Sequence, residues 1–213
     1  MYFAIEGVIG VGKTTLARLL QALFNADLQL EVFEENPFLS SFYSDRARYA
    51  FQTQMFFLLS RYHQQRHNIP SLLTEGKNLI SDYTFEKDAL FARINLKGDE
   101  LEMYNRIHEA LAEKISLPDL LVYLRADTEV LMQRIAFRDR SFERQMERDY
   151  IDELNRAYDD FFMKPTQKIP VLVIETNKLN YVQHKEDLMW VESRIREALA
   201  NPPLQPTLPL KEK

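Results

Sequence analysis

The sequence predicts an α/β protein: a parallel five-stranded sheet covered by helices on both faces. Two observations carry this expectation. Five short β-type runs alternate with longer segments whose apolar residues recur at helical spacing, and such alternation produces parallel strands joined by right-handed crossovers. The first run also leads straight into GVIGVGKT, residues 7–14, a glycine-rich loop that opens a helical pattern.

Residues 2–6 (YFAIE) form the first β-type run, and residues 13–24 follow as a helix with Leu16, Leu19, Leu20 and Leu23 on one side. A second run occupies 30–34, a helical pattern 49–67, a third run 78–82, and a further helical pattern 100–115. Then come a strand over 120–124, helices over 128–137 and 147–162, a strand over 171–174 and a helix over 181–200. Beyond residue 200, Pro202, Pro203, Pro206 and Pro209 stop any helix. The expected organisation is therefore one domain, 1–200, with a flexible Pro-rich tail at 201–213. Ligands of such folds gather at the carboxyl ends of the strands.

Composition narrows the function. With 213 residues, 46% apolar and 28% charged, the chain can bury one continuous core. Its net charge of -5, from 27 basic and 32 acidic side chains, argues against nucleic acid or an acidic membrane surface as partner, since both need a basic face. No apolar run reaches the roughly 20 residues of a membrane span. Cysteine is absent, which excludes disulfides and thiolate chemistry and suits a cytoplasmic location. A cleaved leader is not expected, because the first strand begins almost at Met1. His63 and His67 share a helix face, but no glutamate follows His63 as the zincin pattern requires.

The loop matches G-x-x-x-x-G-K-[ST] through Gly7, Gly12, Lys13 and Thr14, and it lies between a strand and a helix as that motif demands. This makes the fold P-loop NTPase-type. Gly7, Gly10 and Gly12 let backbone N–H groups converge on phosphate oxygens; Lys13 bridges the outer phosphates, and Thr14, followed by Thr15, can ligate magnesium. The cofactors implied are ATP and Mg2+. A GTPase would carry N-K-x-D, whereas residues 177–180 read NKLN.

In ISDYTFEKD, Asp82 ends an apolar run on the side of the phosphate loop. A carboxylate there can accept the proton of an attacking hydroxyl or hold the metal, directly or through water; its plainer use is to cap the next helix. Glu31 and Glu34, in or just after the second β-type run, offer a further carboxylate or two solvated positions. Asp88 either reaches a bound base or is an exposed helical carboxylate. In QRIAFRDRSFE, Arg134 and Arg138 share a helix face and Arg140 lies just beyond. They read as a lid over a migrating phosphoryl group, or as a solvated basic helix end.

Four ordered motifs, IEGVIGVGKTT, EENPFLSSFY with FQTQMFFLLSRY, SDYTFEKD and RIAFRDRSFE, resemble the deoxyribonucleoside kinases of the P-loop superfamily, in their bacterial purine-type branch. The resemblance spans roughly residues 2–176. It implies that Asp82 stands near the metal and the 5′-hydroxyl, and that Glu31, or Glu34 in its place, is the carboxylate after the second strand. It further implies that Gln54, with Gln52 as fallback, reads the base beside Arg61 and Asp88, that Phe56 and Phe57 wall the base, that Tyr43 and Glu143 hold the sugar 3′-hydroxyl, and that Arg134, Arg138 and Arg140 surround the phosphates.

Two departures stand out. Many members follow the strand-end carboxylate with arginine, where this chain has Tyr83, and their E-P-V is here Glu31, Val32, Phe33. The general base stays divided between Asp82 and Glu31. The resemblance implies an ATP-dependent kinase with a purine deoxyribonucleoside as acceptor, working as a homodimer through the helices at 49–67 and 90–115. The alternatives are a thymidylate-type monophosphate kinase and a non-catalytic nucleotide switch.

Overall fold

The computed structural model describes residues 1–164 and 168–203. Five strands, β1 (Tyr2–Glu6), β2 (Ala26–Gln29), β3 (Asn78–Ser81), β4 (Leu120–Arg125) and β5 (Val171–Glu175), form one parallel sheet in the order β2-β3-β1-β4-β5. Every residue of the central β1 is buried, which is why it reads as an unbroken apolar run ending in one carboxylate, Glu6. The chain moves one way from β1 to β2 and the other way from β3 to β4, so right-handed crossovers place their helices on opposite faces. Accordingly α1 (Lys13–Leu23) packs with α8 (Lys185–Ala200), while α3 (Arg46–Thr74), α4 (Glu86–Asn95), α5 (Gly98–Ala112) and α7 (Arg148–Phe162) make a second group. The remaining helices are the short α2 (Leu39–Ser44) and α6 (Thr128–Arg138).

Five sequence expectations need correction. The second strand is Ala26–Gln29 and not 30–34. Its partner β3 ends at Ser81 opposite Gln29, so the alternating residues beyond have no ladder to join, and Phe33–Glu35 form a 3-10 turn. The helix expected over 49–67 runs 29 residues, capped at Asp45, whose side chain accepts the Arg48 N–H at 3.3 Å. The segment 90–115 is two helices broken at Leu96 and Lys97. The last helix starts at Lys185; Tyr181 precedes it in a loop, its ring buried against the phosphate loop. Leu23 is 40% exposed and leaves the buried stripe to Leu16 and Leu20. Of the expected tail, residues 204–213 lie outside the described residues. Among the described residues no helix is long and apolar enough to cross a membrane.

Candidate active site

The loops leaving β1, β2 and β3 meet the middle of α3 and the segment after α6 around a cleft of about 340 Å³. Gly10 and Gly12 take φ of 89° and 103°, conformations that favour glycine, and a Cβ on Gly12 would run into the Tyr181 hydroxyl. Lys13 folds back along the loop, its Nζ donating to the Gly7 carbonyl at 2.6 Å and the Val8 carbonyl at 3.2 Å. Burial, with the Lys87 ammonium close by, brings the Lys13 pKa down to about 8. An anion in the loop would relieve both penalties.

Asp82 ties the phosphate end to the rest of the cleft. Its Oδ2 accepts the Thr14 hydroxyl and its Oδ1 the Glu31 N–H at 2.8 Å. The turn carrying it is fixed by the buried Glu6 carboxylate, which accepts the Thr84 N–H at 2.6 Å and the Gly7 N–H at 3.2 Å. Burial raises the pKa of Asp82, with the neighbouring Glu31 charge adding to the rise. Burial alone would also raise Glu31, but Arg61 and Lys87, paired to its two oxygens, hold it well below the usual carboxylate range. Arg61 in turn pairs with the fully buried Asp88. The result is a buried chain, Asp88–Arg61–Glu31–Lys87, running along one side of the cleft.

At the far end Gln54 is 2% exposed and lines the cleft, whereas Gln52 is exposed on the other side of α3. Phe57 lines it too, under the Arg61 guanidinium at 4.6 Å; Phe56 does not. The Tyr43 ring lies near-parallel to Phe142 at 6.1 Å. Arg138 forks onto the Glu143 carboxylate at 2.6 and 3.1 Å, and Arg140 sits over Phe33 at 4.1 Å.

Of the residues singled out from sequence, Gly10, Gly12, Lys13, Thr14, Thr15, Glu31, Tyr43, Gln54, Arg61, Asp82, Arg138, Arg140 and Glu143 line this one cleft. Gly7 contributes its carbonyl to Lys13. Glu34 is exposed on the 3-10 turn, and Asp88 reaches the cleft only through Arg61. Arg134 turns away, donating to the Thr176 carbonyl at 2.6 Å, the Thr176 hydroxyl at 3.0 Å and the Val11 carbonyl at 3.3 Å. In this arrangement it braces the phosphate loop against the loop after β5. His63 and His67 are exposed, and no group of three potential metal ligands from His, Cys, Asp and Glu occurs among the described residues. Sequence reading missed Lys87, Arg18 and Phe142 in the cleft wall; Lys87, five residues after Asp82, stands in the first turn of α4.

Sheet, phosphate loop, strand-end carboxylate and basic segment together define a nucleotide-binding α/β enzyme of the P-loop class. The deoxynucleoside kinase family model matches residues 3–199, and the chain belongs to that family. It is 32% identical over 201 residues to a deoxyguanosine kinase of Bacillus subtilis (strain 168), covering 93% of this chain and 97% of the relative. It is also 32% identical over 178 residues to a deoxyadenosine kinase of Dictyostelium discoideum, covering 81% and 71%. The structure of a deoxyadenosine kinase from M. mycoides with bound dCTP superposes with a TM-score of 0.78 at 25% identity, covering 92% of this chain and all of that one. A kinase acting on deoxynucleosides replaces both alternatives left open by the sequence.

Proposed function

We propose that the protein transfers the γ-phosphoryl group of ATP, with magnesium, to the 5′-hydroxyl of a purine deoxyribonucleoside in nucleotide salvage. The observation that carries this is the Thr14–Asp82–Glu31 contact, which joins the phosphate loop to the Gln54–Arg61 wall within one cleft. Thr14 and Asp82 present two hard oxygen donors side by side at the loop mouth, a fit for magnesium. That ion would supply charge neutralisation at the phosphates. Lys13 binds the outer phosphates once drawn off its own loop carbonyls, and Arg138 and Arg140 close over them. Tyr43 and Glu143 hold the sugar, and the Gln54 amide, able to donate and accept, reads the base beside Arg61 and Asp88. The hydroxyl proton passes to one of the two carboxylates at the loop mouth, Asp82 or Glu31, which the Glu31 N–H to Asp82 contact holds together. The relatives named for deoxyguanosine and deoxyadenosine support a purine acceptor. A homodimer joined through α3 and the α4–α5 region, in the cytoplasm, accords with this reading.

The test is an acceptor panel: the four natural deoxynucleosides with ATP and magnesium, read by product. Deoxyguanosine or deoxyadenosine should give the 5′-monophosphate fastest; ADP formation with no nucleoside monophosphate would overturn the proposal. The raised Asp82 pKa adds a pH expectation. A carboxylate protonated in the free enzyme can neither hold a metal nor take a proton, so kcat/KM should fall as pH drops through a value above about 4, the ordinary aspartate range. A pH profile flat down to 4 would contradict it.

A further inference from the structure

Of the cleft cations that the roles above leave unused, Lys87 is the one paired with Glu31. Lys87 stands in the first turn of α4, its side chain 7% exposed. Its Nζ lies 2.8 Å from Glu31 Oε2 and 5.6 Å from the centre of the Phe91 ring. Glu31 is its one hydrogen-bond partner among the described residues, which leaves donors to spare on an ammonium that carries three. Arg61, the neighbouring cation that also pairs with Glu31, is committed to Asp88 as well. No cation arrives from the position after Asp82 either, because Tyr83 is fully buried with its hydroxyl donating to Gln64 Oε1 at 2.9 Å.

Lys87 and Lys13 are two cations of one cleft, close enough that Lys87 bears on the charge of Lys13. Asp82 and Glu31, beside which the proposed acceptor hydroxyl would sit, line the same cleft, and Glu31 is paired directly with Lys87. Glu31 offsets part of the Lys87 charge, and Glu6, Glu31 and Asp82 part of that on Lys13; an anionic phosphoryl group in the cleft adds attraction to both lysines. In phosphoryl transfer the acceptor oxygen forms a bond to the γ-phosphorus as the bond to the β–γ bridging oxygen breaks. The electron pair of the broken bond leaves with ADP, and the hydroxyl proton goes to the Asp82/Glu31 pair. Negative charge on the migrating group would then develop in the cleft that the loop lysine and Lys87 both line.

We propose that Lys87 is a catalytic residue, an ammonium that grips the migrating phosphoryl group and the acceptor oxygen from the Glu31 side of the cleft, taking the place of the cation missing at position 83. This rests on the kinase reading above.

The test compares wild type with Lys87→Met, Lys87→Ala and Lys87→Arg, measuring kcat with ATP, magnesium and deoxyguanosine, and nucleoside affinity by calorimetry. Lys87→Met should lose kcat by about 10²–10³-fold, as expected for a group bound to transition-state charge, with nucleoside affinity changed by less than about threefold. Lys87→Ala should regain part of its kcat on addition of propylammonium and none with tetramethylammonium, which has no N–H to donate. Unchanged kcat, or a loss matched in nucleoside affinity and not rescued by propylammonium, would show that Lys87 serves only to pair with Glu31. If removing the charge prevents folding, Lys87→Arg decides: a kcat loss under about tenfold supports the proposal and a larger one overturns it. Wild-type protein that makes no nucleoside monophosphate would instead overturn the kinase reading, and this proposal with it.

Discussion

Replacing Asp82 by Asn should lower kcat by about 10²–10⁴-fold, the range expected when a positioned proton acceptor is lost, while nucleoside affinity stays within a few-fold. The substitution is nearly isosteric, and the Asn carbonyl can still accept the Glu31 N–H that Asp82 Oδ1 now accepts. The Thr14 hydroxyl keeps a polar partner. What disappears is the negative charge at the loop mouth, and with it both the proton-accepting capacity of the pair and one hard donor for magnesium. Steady-state kinetics with deoxyguanosine, alongside calorimetric titration of the same nucleoside, separates the two effects. An Asp82→Asn enzyme that turns over at the wild-type rate would remove Asp82 from the chemistry.

Arg61→Met should destabilise the protein by about 3–5 kcal/mol, because it leaves a buried ion chain without its central cation. Asp88, fully buried, has no other cation paired to it among the described residues, and Glu31 would keep only Lys87. Methionine fills most of the arginine volume, so the loss is electrostatic more than steric. Denaturant unfolding at neutral pH checks this. Combining Arg61→Met with Asp88→Leu should recover much of the lost stability, since the stranded charge goes too, yet should not restore nucleoside affinity. A single Arg61→Met variant within about 1 kcal/mol of wild type would mean that Asp88 finds another partner or sheds its charge.

The parts of this site that were legible in the sequence are those where local spacing dictates geometry. A glycine loop between strand and helix can be built in essentially one way, so Lys13 and Thr14 were placed without structure. Gln54 and Arg61 lie seven residues apart, two helical turns, which sets both on the cleft side of α3. Other positions depended on where neighbours end. The alternation L-Q-L-E-V continues past Gln29, but β3 stops, so the strand stops and Glu31 is released into the cleft. Arg134 and Arg138 do share a helix face, but one turn of α6 separates the cleft mouth from the loop after β5, and they divide between the two. Lys87 was passed over because its meaning lies in what Tyr83 does not supply, and the direction of the Tyr83 side chain is a tertiary fact.

The most direct measurement is a crystal structure with a non-hydrolysable ATP analogue, magnesium and deoxyguanosine bound together. The expected result is a 5′-oxygen beside Asp82 and Glu31, about 3–3.5 Å from the γ-phosphorus and in line with its bond to the bridging oxygen. A nucleoside whose 5′-hydroxyl points away from the phosphate loop, with Tyr43 and Phe142 leaving no room for it to turn, would contradict the account.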